Sequence, residues 1–204
     1  MNLLLTSMSW KENEEIKNEF FTLTNKIPSD IKILFVNTAK EGDYEWEYAK
    51  GNIEELKEAG IKEDNIIIVN LDKKIEENDL KNIDIVYVCG GNTFHYLYKI
   101  RKIGLDIKIK ELVEAGASYF GMSAGGILAG PKIDIAQICD GDTNDINLQD
   151  LKGLQLTNII IFPHYLPTYE DEIKGFEDKN DCKVIRLTDK QALLIKEGNQ
   201  KIIC

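Results

Sequence analysis

The stretch Tyr119–Gly130, "YFGMSAGGILAG", sets one serine among residues with almost no side chain. An apolar run, "ASYFGM" (117–122), leads into it, and "AGGILAG" (124–130) leads away with helical character. Small residues suit a strand that meets a helix at close quarters. They also suit a nucleophile elbow, a sharp strand-to-helix turn that projects a hydroxyl outward. Gly121, Ser123 and Gly125 meet the Gly-x-Ser-x-Gly spacing. The motif alone is equally compatible with a packing turn or an anion-binding helix start.

Working outward, short β-rich runs alternate with longer runs of helical period. The predicted strands are 2–6, 31–37, 65–70, 83–89, 117–122, 157–163 and 182–187. Several are unbroken Ile/Val/Leu stretches, as expected where both faces of a strand are covered. Predicted helices occupy 11–25, 43–59, 92–101, 105–116 and 168–179. Within the second, "NIEELKEAG" puts Ile53 and Leu56 on one face and ends at Gly60. The repeated order predicts an α/β fold with a doubly wound, mostly parallel sheet. At the carboxy terminus "QALLIKEGNQKIIC" reads as a β-hairpin closing one sheet edge. No linker or repeat divides the chain, and residues 1–204 read as a single domain. The least regular stretch, 131–156, is rich in Asp, Asn and Gly and directly follows Ser123, as an active-site loop would.

Bulk composition narrows the function. With 204 residues, 43% hydrophobic and 29% charged, the chain has the composition of a soluble globular protein. A net charge of −10 argues against a nucleic-acid partner. No apolar run approaches the roughly 18 residues of a membrane span. "MNLLLTSMSW" has no basic segment and reads as a first core strand rather than a signal peptide. The cysteines Cys89, Cys139, Cys182 and Cys204 form no CxxC pair, a usage that suits a reducing, cytoplasmic compartment. "DGDTND" (140–145) lacks the glycine and the final glutamate of a calcium loop, and neither glycine cluster ends as a P-loop does. No metal or other cofactor is expected.

A nucleophilic serine needs a base, and the chain has only two histidines. His95, in "GGNTFHYLYKI", falls a turn into a helix and reads as a surface or packing residue. His164, in "IIIFPHYLP", follows a strong apolar strand, and Ser123 also stands at a strand's carboxyl end. Ligand sites in open α/β sheets form at those ends, so the two residues can converge. For the acid that would orient His164, Asp140, Asp142, Asp145 and Asp150 precede it, and Asp171, Asp178, Asp181 and Asp189 follow. Asp189 has the most structured context, after "VIRLT" and before "KQALLI". An oxyanion hole would draw on the N–H of Ala124 and on Gly90 or Gly91 of "CGGNT".

Taken together, "CGGNTF", "FGMSAGG", "FPHY" and "RLTDKQAL" resemble the peptidase E family of serine peptidases, which includes cytosolic aspartyl dipeptidases and, more distantly, cyanophycinase. The likeness covers nearly the whole chain and preserves the order of the motifs. It implies a flavodoxin-like sheet of the class I glutamine-amidotransferase type, with serine in place of the cysteine nucleophile. It also implies a small peptide as substrate, Ser123 as nucleophile, His164 as base, and Gly90, Gly91 and Asn92 in the oxyanion loop. Asp189 is the preferred third member. Relatives also carry an aspartate soon after the serine, where this chain has Ile138, so Asp140 and Asp142 stay open as alternatives. Aspartyl dipeptidases carry arginine after the histidine, whereas "YLPTYEDEIKGFEDKN" has none and leaves only Lys174 or Lys179 for a substrate carboxylate. A noncatalytic binder on the same fold and a small esterase are the competing functions.

Overall fold

The computed structural model describes residues 1–11, 13–39 and 44–204, and of Tyr44 and Glu45 the backbone alone. In chain order the elements are β1 (Asn2–Thr6), α1 (Glu14–Thr22), β2 (Ile33–Val36), α2 (Tyr44–Glu58), β3 (Ile66–Val69) and β4 (Ile85–Val88). There follow α3 (Thr93–Lys102), α4 (Leu105–Glu114), β5 (Ser118–Met122), α5 (Ala124–Leu128), β6 (Ile160–Phe162), α6 (Glu170–Asn180), β7 (Val184–Arg186), β8 (Ala192–Lys196) and β9 (Asn199–Ile203).

Seven strands form one sheet in the order β3-β2-β4-β5-β1-β8-β9. The first five of these run parallel, and the β8–β9 hairpin joins β1 antiparallel along one side. "ILFV" of β2 and "IVYV" of β4 are buried at every position, as strands covered on both faces must be. Against one face Trp10, Phe20, Phe35, Tyr87 and Phe120 form a continuous aromatic cluster, with Tyr87 and Phe120 ring centroids 4.5 Å apart. From β2 the chain moves outward to β3 and then returns to β4 on the other side of β2. Such a reversal of strand order opens a crevice at the carboxyl ends, where α/β proteins bind ligands.

Two of the predicted strands do not join this sheet. β6 and β7 pair with each other in parallel as a separate two-stranded ladder. The β1 edge they would need is occupied over five residues by β8. Their crossover helix, α6, is locked to β7 through Arg186. Its guanidinium makes a two-pronged bond to Glu177 at 2.7 and 3.0 Å and reaches Glu170 at 3.2 Å. The Arg186 hydrogen bonds are the largest cause pulling the Glu177 carboxyl down to about 2. Replacing Arg186 by methionine strands a largely covered carboxylate and should cost about 2–4 kcal/mol, read as a lower Tm. The depressed carboxyl sets the sign with pH. The Glu177 contribution is complete above its ordinary value of 4.5 and is lost as pH falls toward about 2. The acid limb of the parent's stability curve should therefore flatten in Arg186→Met.

Candidate active site

Ser123 stands between β5 and α5 with φ 50° and ψ −112°, a conformation in the positive-φ region that is costly for any residue with a Cβ. Its N–H is tied to the Thr6 carbonyl at 2.8 Å, so the end of β1 holds the turn. The glycines around it answer the packing question. A Cβ on Gly125 would lie 2.3 Å from the Val88 carbonyl oxygen, so α5 can approach β4 only there. The small residues serve the close approach, and that approach fixes the serine in its strained turn.

His164 follows β6, also at positive φ, 55°. The flanking backbone is laced to the end of β7: Leu187 N–H donates to Phe162 O at 2.9 Å, and Tyr165 N–H to Leu187 O at 3.0 Å. Two residues beyond Leu187 stands Asp189. The structure brings these side chains into one line. Ser123 Oγ lies 2.9 Å from His164 Nε2, and His164 Nδ1 lies 2.7 Å from Asp189 Oδ1. A proton on Nδ1, donated to Asp189, leaves Nε2 free to accept from the serine hydroxyl. The Asp189 side chain is 62% exposed, so water competes for it and other contacts must fix its position.

Ser7 makes such a contact. Fully buried just past β1, it donates from Oγ to Asp189 Oδ1 at 2.9 Å and accepts the His164 N–H at 2.7 Å. One hydroxyl thus braces both the carboxylate and the strained histidine backbone. Sequence reasoning missed it, because a serine after a strand is commonplace and its partners lie 157 and 182 residues away.

Gly90 sits against Ser123: a Cβ there would be 3.5 Å from Ser123 Cβ. Gly91, at φ 145°, takes a conformation open to glycine and rounds the turn into α3. Ala124 is the first residue of α5, and its N–H has no acceptor within that helix. Asn92 is the N-cap of α3. Its side chain caps α3 by accepting from the N–H groups of Phe94 and His95 at 3.0 and 3.1 Å, and donates to Thr143 O at 3.0 Å. It is spent on the helix cap, as its residue type favours at that position.

Two of the alternative acids, Asp142 and Asp145, have partners elsewhere. Asp142 accepts from Thr93 N–H at 2.7 Å and Thr93 Oγ at 2.6 Å, clipping the 131–156 stretch onto the start of α3. Asp145 pairs with His95 Nε2 at 2.7 Å, which accounts for the second histidine. Both arginines are occupied too. Arg101 donates to the carbonyls of Asp150 and Lys152 at 2.6 and 2.7 Å, and Arg186 serves α6. Lys174 lies 3.6 Å from Glu170. Among the described residues no cluster of His, Cys, Asp and Glu could hold a metal ion.

Ser123 and His164 separate two hollows. A cleft of about 390 Å³ lies toward α2, lined by Asn37 and Thr38 after β2 and by Cys89, Gly90 and Gly91 after β4. A second, of about 150 Å³, is walled by Ile127, Ile138, Phe162 and Tyr169. The cleft occupies the crevice at which the strand order reverses.

An open α/β sheet with a serine on such an elbow and a histidine within bonding distance defines the serine-hydrolase class. The model of peptidase family S51 matches residues 3–203, and the chain belongs to that family. It is a serine peptidase. An uncharacterized peptidase of Listeria monocytogenes, Lmo0363, is 31% identical over 173 residues, covering 84% of this chain and 82% of the relative. Peptidase E of Escherichia coli is 37% identical over 99 residues, 47% of this chain and 40% of the relative. A crystal structure of a Listeria monocytogenes EGD-e protein assigned to peptidase E superposes with a TM-score of 0.79 at 24% identity, covering 99% of this chain and 97% of the other. A peptidase from an acI-B1 actinobacterium gives 0.66 at 17% identity, covering 99% and 86%. These two structures support the fold.

Proposed function

We propose that this peptidase hydrolyses small peptides, dipeptides among them, through Ser123, His164 and Asp189. The observation that carries the reading is the continuous line from Ser123 Oγ through the imidazole to Asp189, at 2.9 and 2.7 Å. Ser123 attacks the scissile carbonyl while His164 Nε2 takes its proton, then returns it to the departing amine. Asp189 keeps the imidazole in the tautomer that accepts at Nε2 and stabilises the imidazolium. The Ala124 and Gly91 N–H groups receive the developing oxyanion, with Gly90 allowing the loop to come close. Two hollows meeting at the nucleophile suit a substrate with one residue on each side of the bond. With both arginines engaged elsewhere, a preference for amino-terminal aspartate has no support here. Four free cysteines suit work in a reducing compartment such as the cytoplasm.

The direct test is a fluorophosphonate probe, with the modified residue located by mass spectrometry, alongside a dipeptide and isopeptide panel. Label on Ser123 with turnover of part of the panel is expected. A protein that turns over peptides while Ser123 stays unlabelled would overturn the assignment.

Ser7 positions the triad, so Ser7→Ala removes one charge-assisted bond to Asp189 and frees the His164 backbone. Such bonds contribute about 1.5–3 kcal/mol, so kcat should fall roughly 10–100-fold. KM should stay within about twofold, because the Ser7 hydroxyl is already committed to Asp189 and the His164 N–H. A change confined to KM would assign Ser7 to substrate binding instead.

A further inference from the structure

The 390 Å³ cleft beside Ser123 has acidic side chains in its wall and, among its described lining residues, neither lysine nor arginine. Glu47 and Glu55 both come from α2, with Gly51 between them. Spaced four apart, the three lie along one side of the helix. None of the described residues comes within 4 Å of the place a Gly51 Cβ would occupy, so their packing does not require glycine there. Glycine is nonetheless among the poorest helix formers. What it provides is open space between two carboxylates.

Among the described residues, two acceptor atoms in the cleft wall lack donors. Glu55 accepts from Ser9 Oγ at 3.2 Å through Oε1, while its Oε2 has no partner. Asn37, 4% exposed at the carboxyl end of β2, leaves its Oδ1 unpartnered. Unpaired buried acceptors are costly and uncommon, and here both belong to a cleft that also contains the nucleophile. The terminal torsion of a glutamate is soft, so Oε2 can turn toward a donor entering the cleft. Glu47 has Lys50 at 3.4 Å on its outer side, which makes Glu55 the principal acceptor.

We propose that this cleft is a cation subsite, in which Glu55, aided by Glu47 at the rim and by the Asn37 amide oxygen, receives a primary ammonium of the substrate. An ammonium carries three donors and no acceptor, which matches a wall of unsatisfied oxygens. Its source is either the peptide's free amino terminus or a lysine side chain. The proposal rests on the reading of Ser123 as nucleophile, since that is what makes the occupant a substrate. Burial raises the Glu55 carboxyl above its ordinary value, and neither the Ser9 hydroxyl nor the positive charge of Lys11 offsets it fully.

The test is calorimetric titration of the Ser123→Ala protein with Ala-Leu, N-acetyl-Ala-Leu, N-acetyl-Lys-Leu and Asp-Leu. Ala-Leu at least tenfold tighter than its acetylated form assigns the site to the amino terminus. Recovery of that loss by N-acetyl-Lys-Leu assigns it to a lysine side chain. Either advantage should vanish in Glu55→Gln, and Gly51→Leu should weaken every ligand by closing the gap. No advantage for any ammonium, an advantage that survives Glu55→Gln, tightest binding of Asp-Leu, or no binding at all overturns the subsite. Fluorophosphonate labelling of the parent separates the two readings. Labelled Ser123 without an ammonium advantage removes only the subsite, while ammonium binding without label removes only the nucleophile.

Discussion

Ser123→Ala should lower kcat for peptide hydrolysis by about 10⁵–10⁶-fold, to the residual rate that binding and an oxyanion site sustain without a nucleophile. The size follows from the division of labour. In the proposed mechanism the serine supplies the attacking atom and its proton goes to His164, 2.9 Å away. Alanine fits the same elbow, since the strained turn is held by the bond from residue 123 N–H to Thr6 O and by the glycine contact with Val88. Stability should therefore change little, and substrate affinity should persist. Rates on a dipeptide cleaved by the parent, together with a thermal melt, check both halves. Turnover within tenfold of the parent would remove Ser123 from the chemistry.

Asp189→Asn should lower kcat by about 10³–10⁴-fold. An amide can donate as well as accept, so it no longer enforces a proton on His164 Nδ1, and it offers no charge to the imidazolium. The loss falls toward the lower end because the carboxylate is well exposed and water can replace part of its effect. The informative control is Asp142→Asn. Its carboxylate caps α3 through Thr93, so that variant should lose helix stability and retain kcat within about tenfold. The reverse order of effects would transfer the acid's role to the 131–156 stretch.

Sequence carried much of this architecture. Unbroken apolar runs such as "ILFV" and "IVYV" announce strands covered on both faces, and those strands form the centre of the sheet. What periodicity cannot express is which strand lies beside which. The separation of β6 and β7 depends on β8 taking the β1 edge, a choice made by competing long-range pairings. The site divides along the same line. Ser123, His164 and Asp189 each follow an apolar strand with a chemically distinctive side chain, so position and residue type both mark them. Ser7 has an ordinary residue type in an ordinary place, and its significance arises only where β1, β6 and β8 meet. Glu55 was hidden differently. The periodicity of α2 reports Ile53 and Leu56, which face the core, and is silent on whether the opposite side meets solvent or a cleft.

The place of β1 in the sheet has a consequence for the newly made chain. β1 is synthesised before both its neighbours, β5 and β8, which emerge more than a hundred residues after it. At translation rates of roughly 5–20 residues per second, its edges stay unpaired for several seconds at least. Ser7 and Asp189 meet only after the chain between them, a separation of 182 residues, has been made. Under the proposed mechanism, the site is inert until Asp189 has emerged. The interval in which that first apolar strand is exposed is also when the protein is most open to aggregation, so aggregation during synthesis should centre on "NLLLT" rather than on the later strands.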